Sequence, residues 1–441
     1  MVNNRMPNYM RIRTFFLAAS VVAAGQSISA FALTQPENFD DRVVAEKQFH
    51  LAKDGEVLLK VTAKANGTSW DKKEAEAAVV TCQVDGHYSQ DIILFMGAER
   101  FTYRALLGDL PAAAHRLTFR LNKEQSSANA TSVTIDRVQV EPVDKLTSLP
   151  AHSHDTDAMA FSHAPILFAR PDSIGKYTDI PIIMWYEVFK DPDGTVTIRY
   201  SYVFTNEDAG TATEALMARW GRTTDIEWAY EMKLKGKEVI QEAFQAVNHQ
   251  STPFNGKHVG THPVLIVASD NNNFADAGES AMRFRLWPEL MDLSNHSREE
   301  LMDRHPWAYK LMAQELYREG KVSEAGGHQV RDPRDYVYIE AKAPRPNMGI
   351  DLKVGMKDGT WFNSAMANKF LRITREGWFR VAVRLPPNET PADARRVTFD
   401  CHPFSQKKED KQVDCSGVIV QKVFGLSKDY VPRPLDVETG P

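Results

Sequence analysis

The chain has 441 residues, 43% of them hydrophobic and 25% charged, with a formal net charge of −5. That length exceeds one typical core, so two or three domains are expected. The mildly acidic balance and the lack of any long basic run argue against nucleic acid as the main partner.

At the amino end Arg11 and Arg13 precede an apolar run from Phe15 to Ala24, and Ala30-Phe31-Ala32 offers small residues for cleavage. Residues 1–32 therefore read as a signal peptide, and the product as secreted or periplasmic, with a retained amino-terminal anchor as the alternative. No later stretch approaches eighteen apolar residues, so no transmembrane segment is expected after leader cleavage. In an oxidising compartment Cys401 and Cys415, which flank a charged loop, suit a hairpin-end disulfide. Cys82 lies in a strand-like run and reads as a buried thiol.

Residues 33–142 show short strands broken by turns, the spacing of a β-sandwich. Residues 143–160 read as a linker, in which His152-Ser153-His154 with Asp155 or Asp157 offers a metal site or merely a solvated tract. A central β-rich domain follows over 161–330. Its clearest feature is a hairpin, with Ile180–Lys190 and Thr195–Phe204 joined by Asp191-Pro192-Asp193-Gly194. Thr211–Glu214 and Ser297–Glu300 read as capping boxes, the second opening helices near 297–320. Residues 331–431 predict a second flanking β-sandwich, with a hairpin at Asp358-Gly359, and 432–441 a tail. The fold class expected is mainly β and multi-domain: a central antiparallel β-sandwich with a small helical insertion between two β-sandwich domains.

The central domain carries the chemistry. From Asp225 to Lys233 the residues alternate, Ile226, Trp228, Tyr230 and Met232 on one side, Asp225, Glu227 and Glu231 on the other. Three carboxylates in a row ask for a cation, either a metal or arginine, unless the face is simply wet. Asp225 and Glu227 with Asp270, which opens an Asn-rich loop, make an oxygen-rich set for a divalent cation such as calcium. In a catalytic version Asp225, Glu227 and Glu231 supply acid and base on a glycosidic bond, assisted by His249 or His262. Arg222 and Trp228, and in the last domain Trp378 and Arg380, are the candidate substrate contacts. No Gly-x-Ser-x-Gly, phosphate-cradling loop, His-Glu-x-x-His or Cys-x-x-Cys occurs, which sets aside serine hydrolase, nucleotide-dependent and structural-zinc chemistry.

The ordered set His163–Leu167, Gly221-Arg222-Thr223-Thr224-Asp225-Ile226-Glu227, His262–Val267 and Ser280–Phe284 resembles the necrosis-inducing protein family and the related vacuolar-sorting-like domain, over about residues 161–287. In that family the second piece reads Gly-His-Arg-His-Asp-Trp-Glu and lies at a divalent-cation site in a central β-sandwich. Its members act on plant membranes through sphingolipid glycan headgroups. The resemblance carries the cation role to Asp225 and Glu227 only. Arg222 and Thr224 stand where the motif has histidines, and the Arg222 guanidinium can take the cation's place. The combined expectation is an exported protein acting on a carbohydrate-containing substrate, as a glycan hydrolase assisted by carboxylates or a cation. The alternatives are a non-catalytic, cation-dependent binder of a glycan or lipid headgroup, or a structural envelope protein.

Overall fold

The computed structural model describes residues 42–145, 154–171, 177–207, 210–322, 330–344, 348–403 and 415–440. The leader, His152-Ser153 and the side chains of His154 and Asp155 lie outside the described residues. The chain is mainly β, with three sets of sheets and a small helical layer. Two sheets form the first sandwich. One runs in the order Val43–His50, Ala114–Asn122, Val79–Val84, His87–Ile93, and the other Phe101–Leu110, Gly55–Asn66, Ser132–Pro142. Alternate residues of Gly55–Asn66 explain how the sandwich is attached. Val57, Leu59 and Val61 enter its own core, while Leu58, with Leu106, joins the core of the central domain.

The central domain is one hydrogen-bonded path of strands that curls over itself. Its long members, Pro181–Lys190, Val196–Phe204, Asp225–Lys235 and Glu238–Ala246, pair antiparallel. Three short joins are parallel: Ala246 to Phe274, Pro288–Leu290 to Pro181–Lys190, and His262–Val267 to Ile166–Phe168. The curl brings Phe274 onto Tyr202 and Phe204 with ring centroids 6.2 and 6.1 Å apart, so the two layers are parts of one sheet. The last sandwich pairs Gly377–Arg384, Tyr336–Ala343, Ile419–Leu426 and Pro432–Pro434 in one sheet and Trp361–Asn363, Met348–Met356, Ala394–Pro403 and Glu438–Thr439 in the other. The predicted tail is thus stitched into both sheets by backbone pairing. Cys401 and Cys415 are disulfide-bonded, and burial pushes the Cys82 thiol up to about 12.

Three local expectations are corrected. The linker holds a helix, His154–Ser162, that crosses the expected domain boundary, and its Asp157 accepts a 2.6 Å hydrogen bond from the buried Tyr186 hydroxyl. Neither capping box forms. The first helix is Thr213–Trp220 with Ala212 at its cap. Ser297 instead donates to Glu340 Oε2 at 2.9 Å, and the later helices are Glu300–Arg304 and Trp307–Arg318.

Trp307–Arg318 is the wedge between the sheets. Its Trp307 stacks on Phe95 of the first sandwich, and Tyr309 packs against Tyr338 and Phe424 of the last. Beside it, Arg380 is fully buried, which overturns its reading as a substrate contact. A guanidinium without water needs anionic acceptors, and it has them. It donates to Asp303 Oδ1 and Oδ2 at 2.8 and 2.7 Å, to Glu340 Oε2 at 2.6 Å and to the Glu299 carbonyl at 3.1 Å. Arg380 does lie on a strand, Gly377–Arg384, but the helical layer covers its side chain. Replacing Arg380 by Met is expected to leave Asp303 and Glu340 buried beside an apolar chain and to cost about 3–5 kcal/mol, read as a lower urea midpoint. A loss below about 1 kcal/mol would mean that the apolar wedge suffices without the ion cluster.

Candidate functional site

The strand Asp225–Lys235 carries a β-bulge. Tyr230 pairs with Tyr200 and Trp228 with Ser201, so Ala229 is the extra residue. The bulge exchanges the two faces of the strand. Asp225 and Glu227 lie opposite Phe204 and Tyr202, whereas Glu231 lies opposite Arg199, two residues beyond the switch. The expected row of three carboxylates is therefore split. Glu231 Oε2 accepts from Arg199 at 2.9 and 3.0 Å, and the Arg199 guanidinium lies 5.4 Å from the Trp228 ring centroid. Neither Glu231 nor Trp228 faces Asp225.

What gathers at the amino end of this strand is a buried polar floor. Asp225, Glu227, Glu207, Gln245, Asn272 and Asn273 are all buried. Asn272 Nδ2 donates to Asp225 Oδ2 and to the Asn206 carbonyl, each at 2.9 Å. Gln245 Nε2 donates to Glu227 Oε2 at 2.5 Å and lies 2.5 Å from His249 Nδ1, which is 3.5 Å from the same carboxylate oxygen. Asn271 Nδ2 lies 3.1 Å from His249 Nε2, and Asn273 Nδ2 3.3 Å from Nδ1. His249 is itself exposed, at the rim of the floor. Asn248, His249 and Asn272 all take positive φ, 61°, 57° and 49°, a left-handed conformation that side chains other than glycine seldom adopt. His249 and Asn272, two members of the cluster, thus hold sparsely populated backbone conformations of the kind that gather at functional sites.

Burial comes first among the causes that push the Asp225 carboxyl up to about 7, with Glu227 beside it, while Arg222 works the other way. Burial also raises Glu207. The hydrogen bond to Glu227 raises His249. Behind the floor Arg222 Nε donates to Glu299 at 3.1 Å. Burial opposes ionisation of Glu299, but Arg222, Arg375, Arg298 and Arg380 hold it down at about 2. The floor thus presents amides and two carboxyls that burial pushes up, Asp225 and Glu207, with the Arg222–Glu299 ion pair behind it.

Several expected members do not join. His262 is buried elsewhere, its Nδ1 2.8 Å from the Ala164 carbonyl and its Nε2 2.9 Å from Glu56 Oε2, and it ties the central sheet to the first sandwich. Asp270 is exposed, and the amides after it reach the floor instead. Trp378 donates to the Ser294 carbonyl at 3.1 Å, in the last sandwich. Arg222 is present but buried, a charge behind the site rather than a contact in it. Asp225, Glu227 and Asp270, the expected cation ligands, do not form a converging group of three among the described residues. Among the described residues the ligand atoms that converge are those of His296, Glu300 and Glu340. There Lys422 Nζ already sits 3.0 Å from Glu300 and Arg380 2.6 Å from Glu340, so cationic side chains fill the role. Glu207, Gln245, Asn271 and Asn273 were missed by the sequence reading, and only the Asn-rich turn hinted at them.

No protein-family model matches the chain, and no curated protein matches it. Solved structures overlap it in part. A sugar-binding protein, the EclA C-terminal domain, is 16% identical over 24% of this chain and 73% of its own, with a TM-score of 0.19. A family 35 carbohydrate binding module from an environmental isolate is 14% identical over 22% of this chain and 66% of its own, at 0.17. A ruminal GH26 endo-β-1,4-mannanase is 13% identical over 33% of this chain and 30% of its own, also at 0.17. Likenesses of this size carry nothing about activity, which has to be read from the chain's own residues.

Two outcomes follow. Glu231→Gln is expected to change stability by less than about 1 kcal/mol, because its pair with Arg199 is half exposed; a larger loss in urea unfolding would contradict the face exchange. For Asp225, a folded-state pKa above the unfolded one gives a contribution that is full below about pH 4 and is lost as pH rises towards 7. Asp225→Asn should therefore melt closer to the parent at pH 5 and gain on it at pH 8, where an unchanged difference would refute the raised carboxyl.

Proposed function

We propose that the chain is an exported carbohydrate-binding protein whose ligand lies over Glu227, Gln245, His249, Asn271 and Asn273. The observation that supports this most is the strained, charge-balanced floor. Amides, an imidazole and a carboxylate converge there, and burial raises Asp225 and Glu207 towards their neutral forms. Sugar hydroxyls both donate and accept, and such a set offers both with little net charge. The site stands close to the guanidinium of Arg222, which supplies positive charge without a metal. The resemblance to the necrosis-inducing proteins makes a lipid-linked glycan headgroup the first ligand class to try.

Binding without turnover is the leading version. Glycosidic hydrolysis sets two carboxyls across a cleft, whereas Asp225 and Glu227 are neighbours on one strand face and Asp225 is only 5% exposed. One observation favours a hydrolytic version: a carboxyl at about 7 beside Glu227 is a proton reservoir near neutral pH. A glycan array followed by calorimetry, with a reducing-sugar assay on each hit, separates the two. Glu227→Gln and His249→Ala are each expected to weaken binding by roughly tenfold or more, the worth of one hydrogen bond to a charged group, with melting temperatures nearly unchanged. Absence of any glycan ligand, or binding indifferent to both changes, would leave the floor a structural feature.

A further inference from the structure

A cavity of about 280 Å³ lies between the first sandwich and the central sheet, with none of the polar floor in its lining. One wall is aromatic. Phe95 stacks on Trp307 with centroids 5.3 Å apart and planes inclined by 21°, and Phe101 meets the Trp307 ring edge-on at 5.2 Å. The facing wall is aliphatic, made by Ile182, Ile183 and Met184 at the start of a central strand. Thr102 and Arg104 are exposed, and His305, Trp307 and Glu289 half-buried, so the cavity has an open mouth on that side.

The mouth carries more positive charge than negative. Glu289 is the one carboxylate in the lining; its Oε1 lies 3.1 Å from Arg104 Nη1 and its Oε2 2.7 Å from His305 Nε2. The charge of Arg304 acts on Glu289 as well, so two guanidiniums share a single anion. Arg104 has a half-exposed side chain and gives one of a guanidinium's five N–H donors to Glu289. An apolar interior of this size, placed where two domains meet and capped by a few convergent polar groups, is how small-molecule sites are built.

We propose that this cavity binds an amphipathic monocarboxylate, its apolar chain or ring between the aromatic and aliphatic walls and its carboxylate on Arg104 at the mouth. Burying the body supplies most of the affinity, and the charge-assisted contact sets the orientation and excludes neutral analogues. The inference is independent of the glycan reading.

The test uses the whole chain, octanoate and 3-phenylpropionate as probes for a chain and a ring, and 1-octanol as the uncharged control. Titrations are followed by the fluorescence of the two lining tryptophans, Trp287 and Trp307, and by calorimetry. At least one acid is expected to bind saturably, and the stronger of the two tells chain from ring. Arg104→Gln, a change at an exposed rim, should weaken that acid by roughly tenfold or more while leaving octanol unchanged. Thr102→Trp, which fills the mouth, should block both acids, and Glu227→Gln should block neither. No saturable response to either acid would overturn the proposal. So would equal affinity in Arg104→Gln, or octanol binding as tightly as octanoate, provided circular dichroism shows the variants folded.

Discussion

A guanidinium with no water around it fixes how the domains meet. Arg380 belongs to a strand of the last sandwich, yet its acceptors are Asp303 from the helical layer and Glu340 from the neighbouring strand. Neither the sandwich nor the helices can leave without stranding a buried charge. Lys422 adds to the same cluster by pairing with Glu300 and Asp303. The methylenes of Arg380 also bound the turn that ends the Thr213–Trp220 helix. A side chain at Gly221 would approach Arg380 Cγ to 3.0 Å, and the left-handed φ of 64° there is one that glycine accepts freely. From that turn the chain runs directly into Arg222, Thr224 and Asp225. The ion cluster thus helps locate the polar floor, to which it is linked through Arg222 and Glu299.

Much of the architecture was legible because strands announce themselves by composition and turns by chemistry. The Asp191–Gly194 and Asp358-Gly359 hairpins stand where their turn residues put them. The Cys401–Cys415 pairing joins residues at the end of one strand and before the next. What alternation does not reveal is a change of parity inside a strand buried on both sides. Ile226 enters the core shared with the helices, while Tyr230 and Met232 enter the core beneath the curled sheet. Both environments accept apolar residues, so the sequence reads as unbroken across Ala229.

The candidate site was legible in its centre and not at its edges. Asp225, Glu227 and His249 do come together, while Glu231, His262 and Asp270 do not. The difference is backbone geometry that composition does not encode. His249 reaches Glu227 because two successive residues adopt positive φ, and Asn272 reaches Asp225 because the turn after Val267 folds back. Arg380 was misread for the opposite reason. A charged residue on a strand is usually wet, and only the arrival of helices from earlier in the chain covers this one.

The continuous core also sets the order in which the molecule can be completed. Trp70 donates its indole N–H at 2.5 Å to Glu315, which lies 245 residues later in the chain, and Arg380 meets Asp303 across 77. A nascent first sandwich therefore has one flank without its partner until most of the polypeptide has been made. The last sandwich then closes the ion cluster only after the wedge helix is in place. Such long-range pairing slows assembly and leaves apolar surface open during synthesis. A chain of this design can complete its core only once nearly all of it is available.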